Sequence, residues 1–593
     1  MTNLISASDI DWKIIEFDQN LSKKISRKYN ISLILSDILV SRNICDNDIE
    51  NYLSPKIKNL LPNPFDLSNV EIAVNFIYKA IIERKKITIF GDYDVDGATS
   101  SAILKSFFTD INYDINIYIP DRVKEGYGPN KNAFKYIKEQ GSDIVITVDC
   151  GASSHDVVDY ANSINLDVII VDHHIGSKIN PNAIAVINPN SYNEKFKYKN
   201  LCAAAVVYLF IIALNKKLRN SNYYNNLNEP NIFNYLDLVA LGTICDVMKL
   251  DLLNRAFVYQ GLKIINNKIN KGILSLINIA NINDIITSYH LGYIIGPRIN
   301  AGGRIGRSYL GSKILSSNCQ NEIDEIALSL NNYNNERKII EATAIDEAIQ
   351  FIENNNIYNN EQPVILAYSY DWHQGIIGII ASRIKDKYNK PTVIITFDKQ
   401  DNIGKASCRS IAGIDLGSLI IKACEENILL NGGGHAMAGG FTINYNNLEY
   451  LHKYWCNIIK DDVLMINANR TKYYDVKLYL ENINLELVTN INKIEPYGVG
   501  NPKPRFLIPD VRIANFKYIG SDKSHISCIL TSKSNFKSQS LKAIAFNCIN
   551  SNIEKFIISN NYKKIDIIAT ININYWQGNK NIQIIIEDIL ITK

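Results

Sequence analysis

The sequence predicts an α/β protein whose first large domain rests on a parallel sheet, and three observations predict it. From about residue 85, strand-like runs alternate with helical ones. The strand-like runs are largely apolar; two of them end on an aspartate, and a third is followed by an acid-rich turn. Continuous apolar strands separated by helices are the pattern of a parallel sheet covered on both faces.

The elements follow in order. "KKITIF" (85–90) is a buried strand, and "ATSSAILKSFF" (98–108) is a helix after a turn. "SDIVITVDCG" (142–151) and "LDVIIVDHH" (166–174) are further strands, with a helix at "NAFKYIKEQ" (132–140) and "AIAVIN" (183–188) close behind. "LCAAAVVYLFIIAL" (201–214) is shorter than the ~18–20 residues of a membrane span and is read as a buried helix. Charged, helical sequence over 321–354 forms a long connector to a second α/β pattern, "QPVILAY", "IIGIIASRI" and "PTVIITFD" (362–398). From about 470, short strands with Gly, Asn and Ser between them predict a small barrel or sandwich.

The bulk properties constrain less. A chain of 593 residues is too long for one core. The 46% hydrophobic and 21% charged content is that of a globular protein, and a net charge of +3 leaves any basic surface local. Ten scattered cysteines without a CxxC pair argue against a zinc ribbon or disulfide framework and fit a reducing cytosol. The N-terminus carries acids and no apolar core, so no signal peptide is expected there. Abundant Asn, Ile, Lys and Tyr look like nucleotide bias, and the Asn-rich stretches (220–231, 353–360) are read as loops.

The acids carry the chemistry. "GDYDVDG" (91–97) places Asp92, Asp94 and Asp96 at alternate positions, where they repel one another unless a cation or protons relieve them. An EF-hand is excluded, because its twelfth position is Ile103 rather than a bidentate Glu and a strand precedes the acids. Asp149 ends one strand, and Asp172, His173 and His174 end another. Ligands of an open parallel sheet bind outside the carboxyl ends of its strands. If these strands are neighbours, about 4.7–4.9 Å apart, their terminal side chains converge. Carboxylates with an imidazole suit Mn²⁺ or Mg²⁺, and this many acids point to a two-metal site for phosphoryl transfer. A single strand-end acid is usually a cap and a single His pair usually incidental, so the weight lies in the combination. Cys150 and Cys245 adjoin acids and are read as small buried thiols.

"GDYDVDG", "TVDCG", "VDHH" and "LGTICDVMKL" (241–250) resemble, in order, the four motifs of the DHH phosphoesterase superfamily. "EGYG" (125–128), "GPRINAGGRIG" (296–306), "WHQGIIGIIASRI" (372–384), "SCRSIAGIDLG" (407–417), "GGGHAMAGG" (432–440) and "YGVGNPKPRF" (497–506) extend the resemblance to the RecJ family over roughly residues 50–590. The resemblance implies five segments: an N-terminal extension (1–70), a DHH domain (71–320), a connecting helix (321–358), a DHHA1 domain (359–465) and an OB-fold barrel (466–593). It implies 5′→3′ hydrolysis of single-stranded DNA to mononucleotides with two Mn²⁺ or Mg²⁺ ions, in DNA repair and recombination. It also implies a cytoplasmic monomer, with single-strand-binding protein and a helicase as further partners.

Carried over by position, Asp94 and Asp96 would serve different ions, with Asp92 an added ligand. Asp149 would bridge both ions, and His173 and Asp246 would complete the second site. His174 would face the scissile phosphate while Asp172 orients its surroundings. Arg298 and Arg304 offer forks for phosphate. Arg122, Ser407 and Arg409 match positions expected to hold a 5′-phosphate, and Tyr127 and His373 are candidate stacking or phosphate contacts. Gly433, Gly434 and His435 would form a loop presenting backbone N–H groups to phosphate. Relatives carry a histidine just before the first-motif glycine where this chain has Phe90, which puts the strength of the first ion site in question. Phe506, Phe516, Tyr518 and Trp576 are the barrel aromatics that could stack on bases, although such residues usually form core. The competing readings are an enzyme for short oligoribonucleotides or phosphoadenosine phosphate, disfavoured by the barrel, and a non-catalytic scaffold, disfavoured by the intact acids.

Overall fold

The computed structural model describes the chain apart from residues 1–3, 123, 359–361, 469, 521, 534–537, 560–563, 577–578 and 593. It divides into two compact units: residues 1–303, 307–331 and 471–593, and residues 304–306 with 332–470.

The first unit holds the five-stranded parallel sheet, in the order Asn116–Tyr118, Ile87–Gly91, Ile144–Val148, Asp167–Val171, Ala185–Ile187. Every residue of Ile87–Gly91 and Ile144–Val148 is buried, as continuous apolar strands require. On one face Phe90, Val145, Val168 and Ile170 pack against Phe134 and Ile137 of helix Lys131–Glu139 and Val158 and Ala161 of helix His155–Ser163. Helices Val70–Ile82, Val95–Asp110 and Ala203–Asn220 meet the strands as well. The last contains most of the 201–214 run, and from Ala203 to Leu214 every residue but Ile212 is buried; no helix among the described residues is long and apolar enough to cross a membrane.

The barrel-or-sandwich ambiguity resolves to a closed barrel. Strand Phe506–Ile519 pairs with His525–Lys533, which pairs with Ser538–Ala545. Ser538–Ala545 pairs in parallel with Asn579–Thr592, and Lys564–Trp576 closes the ring back onto Phe506–Ile519. Closure leaves no open edge within the ring.

The described part of the N-terminal extension (residues 4–70) packs against the C-terminal strands. Strand Leu4–Ser6 pairs with Asn579–Thr592, and Asp11–Ile14 pairs with Thr471–Tyr474. Ile25, Leu35 and Leu39 share one core with Leu478, Val488, Ile513 and Ile567. The buried Asp588 ties the ends together by accepting from Ser6 Oγ (2.5 Å), Ser8 Oγ (3.1 Å) and Trp12 Nε1 (2.7 Å).

In the second unit a mixed sheet runs in the order Asn431–His435, Ala438–Asn444, Ile403–Arg409, Thr392–Phe397, Ile365–Ser369, and only the last pair is parallel. The connector is the single helix Gln320–Asn354.

Candidate metal centre

The register of the parallel sheet builds the site. Gly91 pairs with Val148 and Val148 with Val171, so three strands end on one line. The residues that follow, Asp92, Asp149 and Asp172, leave the same edge of the sheet and are buried. Beyond Asp149 the chain turns sharply, with φ of 61° there and 108° at Gly151. A Cβ at 151 would sit 2.9 Å from Thr147 Oγ1, so this turn needs glycine.

Helix ends place the other acids. Asp94 caps helix Val95–Asp110, its Oδ1 accepting from the N–H of Asp96 (2.9 Å) and Gly97 (3.0 Å). Asp96 accepts from the N–H of Ala203 (2.6 Å) and Ala204 (3.0 Å), where the positive end of helix Ala203–Asn220 favours a carboxylate. Asp246 follows directly on helix Leu236–Cys245.

Three groups of ligand atoms result, each within 4.8 Å internally: Asp92, Asp94 and Asp149; Asp96, His173 and Asp246; and Asp149, His173 and His174. His173 Nε2 lies 3.3 Å from Asp149 Oδ1, 3.5 Å from Asp246 Oδ2 and 3.8 Å from Asp96 Oδ2. Asp92 Oδ1, Asp149 Oδ1, His173 Nε2 and Asp246 Oδ2 are all buried without a hydrogen-bond partner among the described residues. Such atoms are costly to leave unpaired, and a divalent cation satisfies several at once. The donor set is oxygen with one or two imidazoles, which fits Mn²⁺ or Mg²⁺.

The electrostatics agree with that fit. Burial, then the charge of Asp94, pushes Asp92 up to about 8, and burial with Asp96 and Asp94 pushes Asp246 up to about 8. Asp96 and Asp149 are raised by the same two causes, burial foremost. Burial lowers His173 and so keeps it neutral, as a ligand must be.

Asp172 is spent on hydrogen bonds. Its Oδ2 accepts from Ala152 N–H (2.9 Å), and its Oδ1 meets His173 N–H (2.7 Å), His174 N–H (3.2 Å) and His174 Nδ1 (2.8 Å). Burial alone would lower His174, but its bond to Asp172 outweighs this and raises it to about 9. Asp172 thus fixes the half-exposed His174 ring and acts as a positioning residue. Tyr127 stands edge-on to that ring at 6.1 Å, and its hydroxyl donates to Asp149 O (3.3 Å). The Arg122 guanidinium lies 5.0 Å over the Tyr93 ring, and its charge favours the ionised form of Asp92. Phe90 is buried, stacked on Tyr118 at 5.6 Å, and the first group of ligands holds three carboxylates without an imidazole.

The remaining predicted residues divide. Arg298 donates to Ile294 O (2.7 Å) and Asn331 Oδ1 (3.1 Å), bonds within its own unit. In the second unit Arg304 donates to Gly375 O (2.7 Å), and Gly375 N–H donates to His373 Nδ1 (3.1 Å), so two separate motifs meet there. Ser407 and Arg409 lie two apart on strand Ile403–Arg409, and Arg409 donates to Ser407 Oγ (3.3 Å). A Cβ at Gly378 would come within 3.0 Å of Ser407 Oγ and 3.3 Å of Arg409 Nη2, which sets both beside the start of helix Ile377–Tyr388. Gly433, Gly434 and His435 are not in a loop: they form the exposed strand Asn431–His435 of a hairpin with Ala438–Asn444. Gly433 pairs across the hairpin with Gly440, and Gly434 with Gly439, which draws the run into the sheet. Among the barrel aromatics, Phe506 is core, Phe516 packs against it and Tyr518 is exposed; the side chain of Trp576 lies outside the described residues.

Sequence reasoning missed several supports. Asn188 Nδ2 donates to His174 O (2.8 Å) and Asn190 Nδ2 to His173 O (2.6 Å), pinning both histidine backbones from the strand next door. Gly242 lies where a Cβ would come within 2.7 Å of Asp96 Oδ1. The "INPN" that closes the fifth strand and the glycine in "LGTICD" were the available signals.

Comparison with known proteins bears on this site. Family models match residues 86–243 (DHH family, N-terminal domain), 361–461 (DHHA1 domain) and 474–588 (RecJ OB domain). The chain is 34% identical over 541 residues to the single-stranded-DNA-specific exonuclease RecJ of Haemophilus influenzae, covering 90% of this chain and 92% of that protein. Against the Bacillus subtilis protein of the same name it is 29% identical over 590 residues, 99% of this chain and 72% of that protein. The crystal structure of Thermus thermophilus RecJ with Mn²⁺ superposes with a TM-score of 0.77 at 23% identity, over 98% of this chain and 79% of that one. A RecJ exonuclease bound to manganese matches with a TM-score of 0.56 at 28% identity, over 67% of this chain and 96% of that one.

Proposed function

The chain belongs to the RecJ family of single-stranded-DNA-specific exonucleases, and from that premise we propose that it removes nucleotides from the 5′ end of single-stranded DNA by metal-dependent hydrolysis. The observation that carries this reading is the set of orphaned, buried ligand atoms converging from three aligned strand ends. Asp92, Asp94 and Asp149 would hold one ion and Asp96, His173 and Asp246 the other, with Asp149 between them. Bound Mn²⁺ or Mg²⁺ supplies Lewis acidity to the phosphate and to the attacking water. His174, with Nδ1 tied to Asp172, presents its other ring nitrogen to a phosphate oxygen. Tyr127 packs beside that ring and limits its swing.

Polarity is assigned to the second unit. Arg409 and Ser407 stand beside the first turn of helix Ile377–Tyr388, whose positive dipole end attracts anions, and together they suit a terminal phosphate. The closed barrel supports a polymeric substrate over an oligoribonucleotide or phosphoadenosine phosphate. The proposed working form is a monomer. An enzyme confined to single strands consumes what a helicase exposes and a single-strand-binding protein coats, so those are its proposed cytoplasmic partners.

The test is digestion of 5′- and 3′-labelled oligonucleotides, single-stranded and duplex, with Mn²⁺. The expected result is immediate release of the 5′-terminal mononucleotide from single strands alone. Release beginning at the 3′ end, or cleavage confined to di- and trinucleotides, would refute it.

A further inference from the structure

Between strand Asn116–Tyr118 and helix Lys131–Glu139 the chain makes an excursion that brings Arg122 and Tyr127 to the metal centre. The Arg122 guanidinium lies over the ring of Tyr93, which stands between Asp92 and Asp94 in sequence, and Tyr127 lies edge-on to His174. Little beside Tyr127 secures its backbone. It is 57% exposed and sits between Gly126 and Gly128, which take φ of 82° and 78°. A Cβ at either glycine would meet nothing within 4 Å, so the order of this turn must come from elsewhere.

Glu125 supplies it. Its Oε1 accepts from Asp121 N–H (2.7 Å) while its own N–H donates to Asp121 O (2.8 Å), which closes a ring around Arg122 and Lys124. Lys124 N–H adds a bond to Asp121 Oδ1 (3.1 Å). Glu125 Oε2 accepts from the Tyr118 hydroxyl (2.8 Å) and from Asn130 Nδ2 (3.4 Å). Asn130 Oδ1 in turn caps helix Lys131–Glu139 by accepting from Ala133 N–H (2.8 Å). One carboxylate thus joins the strand before the turn to the helix after it, through bonds that its charge strengthens. The Tyr118 end of this anchor is itself held. Tyr118 pairs with Phe90 across neighbouring strands and their rings stack at 5.6 Å, so the anchor is built on the strand that delivers Asp92. Burial, then the bond to Glu125, pushes the Tyr118 phenol above its usual range and keeps it a donor.

We propose that Glu125 is a positioning residue for strand cleavage: its carboxylate fixes the turn that carries Arg122 and Tyr127, and Tyr127 in turn holds the His174 ring. The proposal rests on the reading of the chain as a single-strand exonuclease and adds the residue that keeps these side chains in place. Glu125 belongs to none of the ligand groups, and its oxygens are taken up by the strand, the turn and the helix cap, so it acts without touching an ion. A misplacement of about 1 Å in a group facing the reacting phosphate costs about a hundred-fold in rate, so a side chain one step removed governs cleavage through the groups it holds.

The test measures single-turnover cleavage of a 5′-phosphorylated single strand with Mn²⁺. It compares wild type, Glu125→Ala, Glu125→Gln, Arg122→Ala/Tyr127→Ala, and the triple variant that adds Glu125→Ala to that pair. Glu125→Ala should lower the rate by about ten- to a hundred-fold, with the Mn²⁺ concentration for half-maximal rate near that of wild type. Glu125→Gln keeps an oxygen for Asp121 N–H and should lose less than Glu125→Ala. In the triple variant the added substitution should have little further effect, because the residues that Glu125 positions are already gone. An undiminished rate in Glu125→Ala, an equal loss in both backgrounds, a glutamine variant as impaired as alanine, or a large rise in the Mn²⁺ requirement overturns the proposal. A wild type that cleaves no single strand would instead overturn the assigned function.

Discussion

His173 Nε2 and Asp149 Oδ1 lie 3.3 Å apart, and neither atom has a hydrogen-bond partner among the described residues. One comes from the end of strand Asp167–Val171 and the other from the end of strand Ile144–Val148, which pair in register. The sheet therefore holds two ligand atoms face to face, and the consequences can be measured.

Asp149 belongs to two of the three ligand groups. Asp149→Ala should lower cleavage of single-stranded DNA by more than the ~100-fold that loss of a supporting residue costs, with DNA binding retained. Rate measurements beside fluorescence anisotropy of a labelled strand check this, and substantial residual cleavage would count against a bridging role.

Asn190 belongs to none of the ligand groups yet pins His173 O. Asn190→Ala should weaken Mn²⁺ activation by about 10–100-fold, the range for residues that orient ligands. The readout is the Mn²⁺ concentration for half-maximal activity, which should rise while the rate at saturating Mn²⁺ changes far less.

Gly242→Ala places a methyl within 2.7 Å of Asp96 Oδ1 and 2.9 Å of Ala204 Cβ. Overpacking of this kind costs about 1–3 kcal/mol, and here it also displaces a ligand. A lowered Tm together with weakened Mn²⁺ activation is expected; a fall in Tm alone would mean that Asp96 is not held for an ion.

Asp237 is buried in helix Leu236–Cys245, and burial pushes its pKa up to about 7. The folded state keeps the proton where the unfolded chain releases it, so this group's contribution to stability is greatest below about pH 4 and falls as pH rises towards 7. The loss from this group is of the order of 4 kcal/mol. Asp237→Asn should remove that slope, so denaturant unfolding at several pH values should show the variant gaining on wild type from pH 4 to 7. Parallel curves would refute it.

Arg255 is fully buried and donates to the carbonyls of Tyr52 (2.8 Å), Lys493 (3.2 Å), Ile494 (2.6 Å), Glu495 (2.5 Å) and Pro496 (3.3 Å). Asn501 Nδ2 also donates to Ile494 O and Pro496 O (both 2.7 Å), so Arg255→Met strips the guanidinium donors chiefly from Tyr52, Lys493 and Glu495. It should cost at least about 3 kcal/mol of stability by denaturant unfolding, and a loss below about 1 kcal/mol would contradict this.

The legible part of this protein was the part written locally. An apolar run ending on an acid declares both a buried strand and its business end, so Asp92, Asp149 and His173 could be singled out before any contact was known. The closed barrel, by contrast, depends on pairings between distant strands, and the short strands alone left a sandwich open. Asn190, Gly242 and the amides of Ala203 and Ala204 were invisible because each acts across a tertiary contact; Asp96 and Ala203 are 107 residues apart. The run at 432–435 misled because glycine serves loops and hairpins alike, and only pairing with Gly439 and Gly440 decides. Leu4–Ser6 is three residues long, too short to show a strand period, so its place beside the last strand had no sequence signal.

The central claim is that three aligned strand ends and two helix ends make a two-ion centre. Anomalous diffraction from crystals grown with Mn²⁺ tests it most directly. The account predicts two peaks, one among Asp92, Asp94 and Asp149 and one among Asp96, His173 and Asp246. A single peak, or peaks away from these residues, would contradict it.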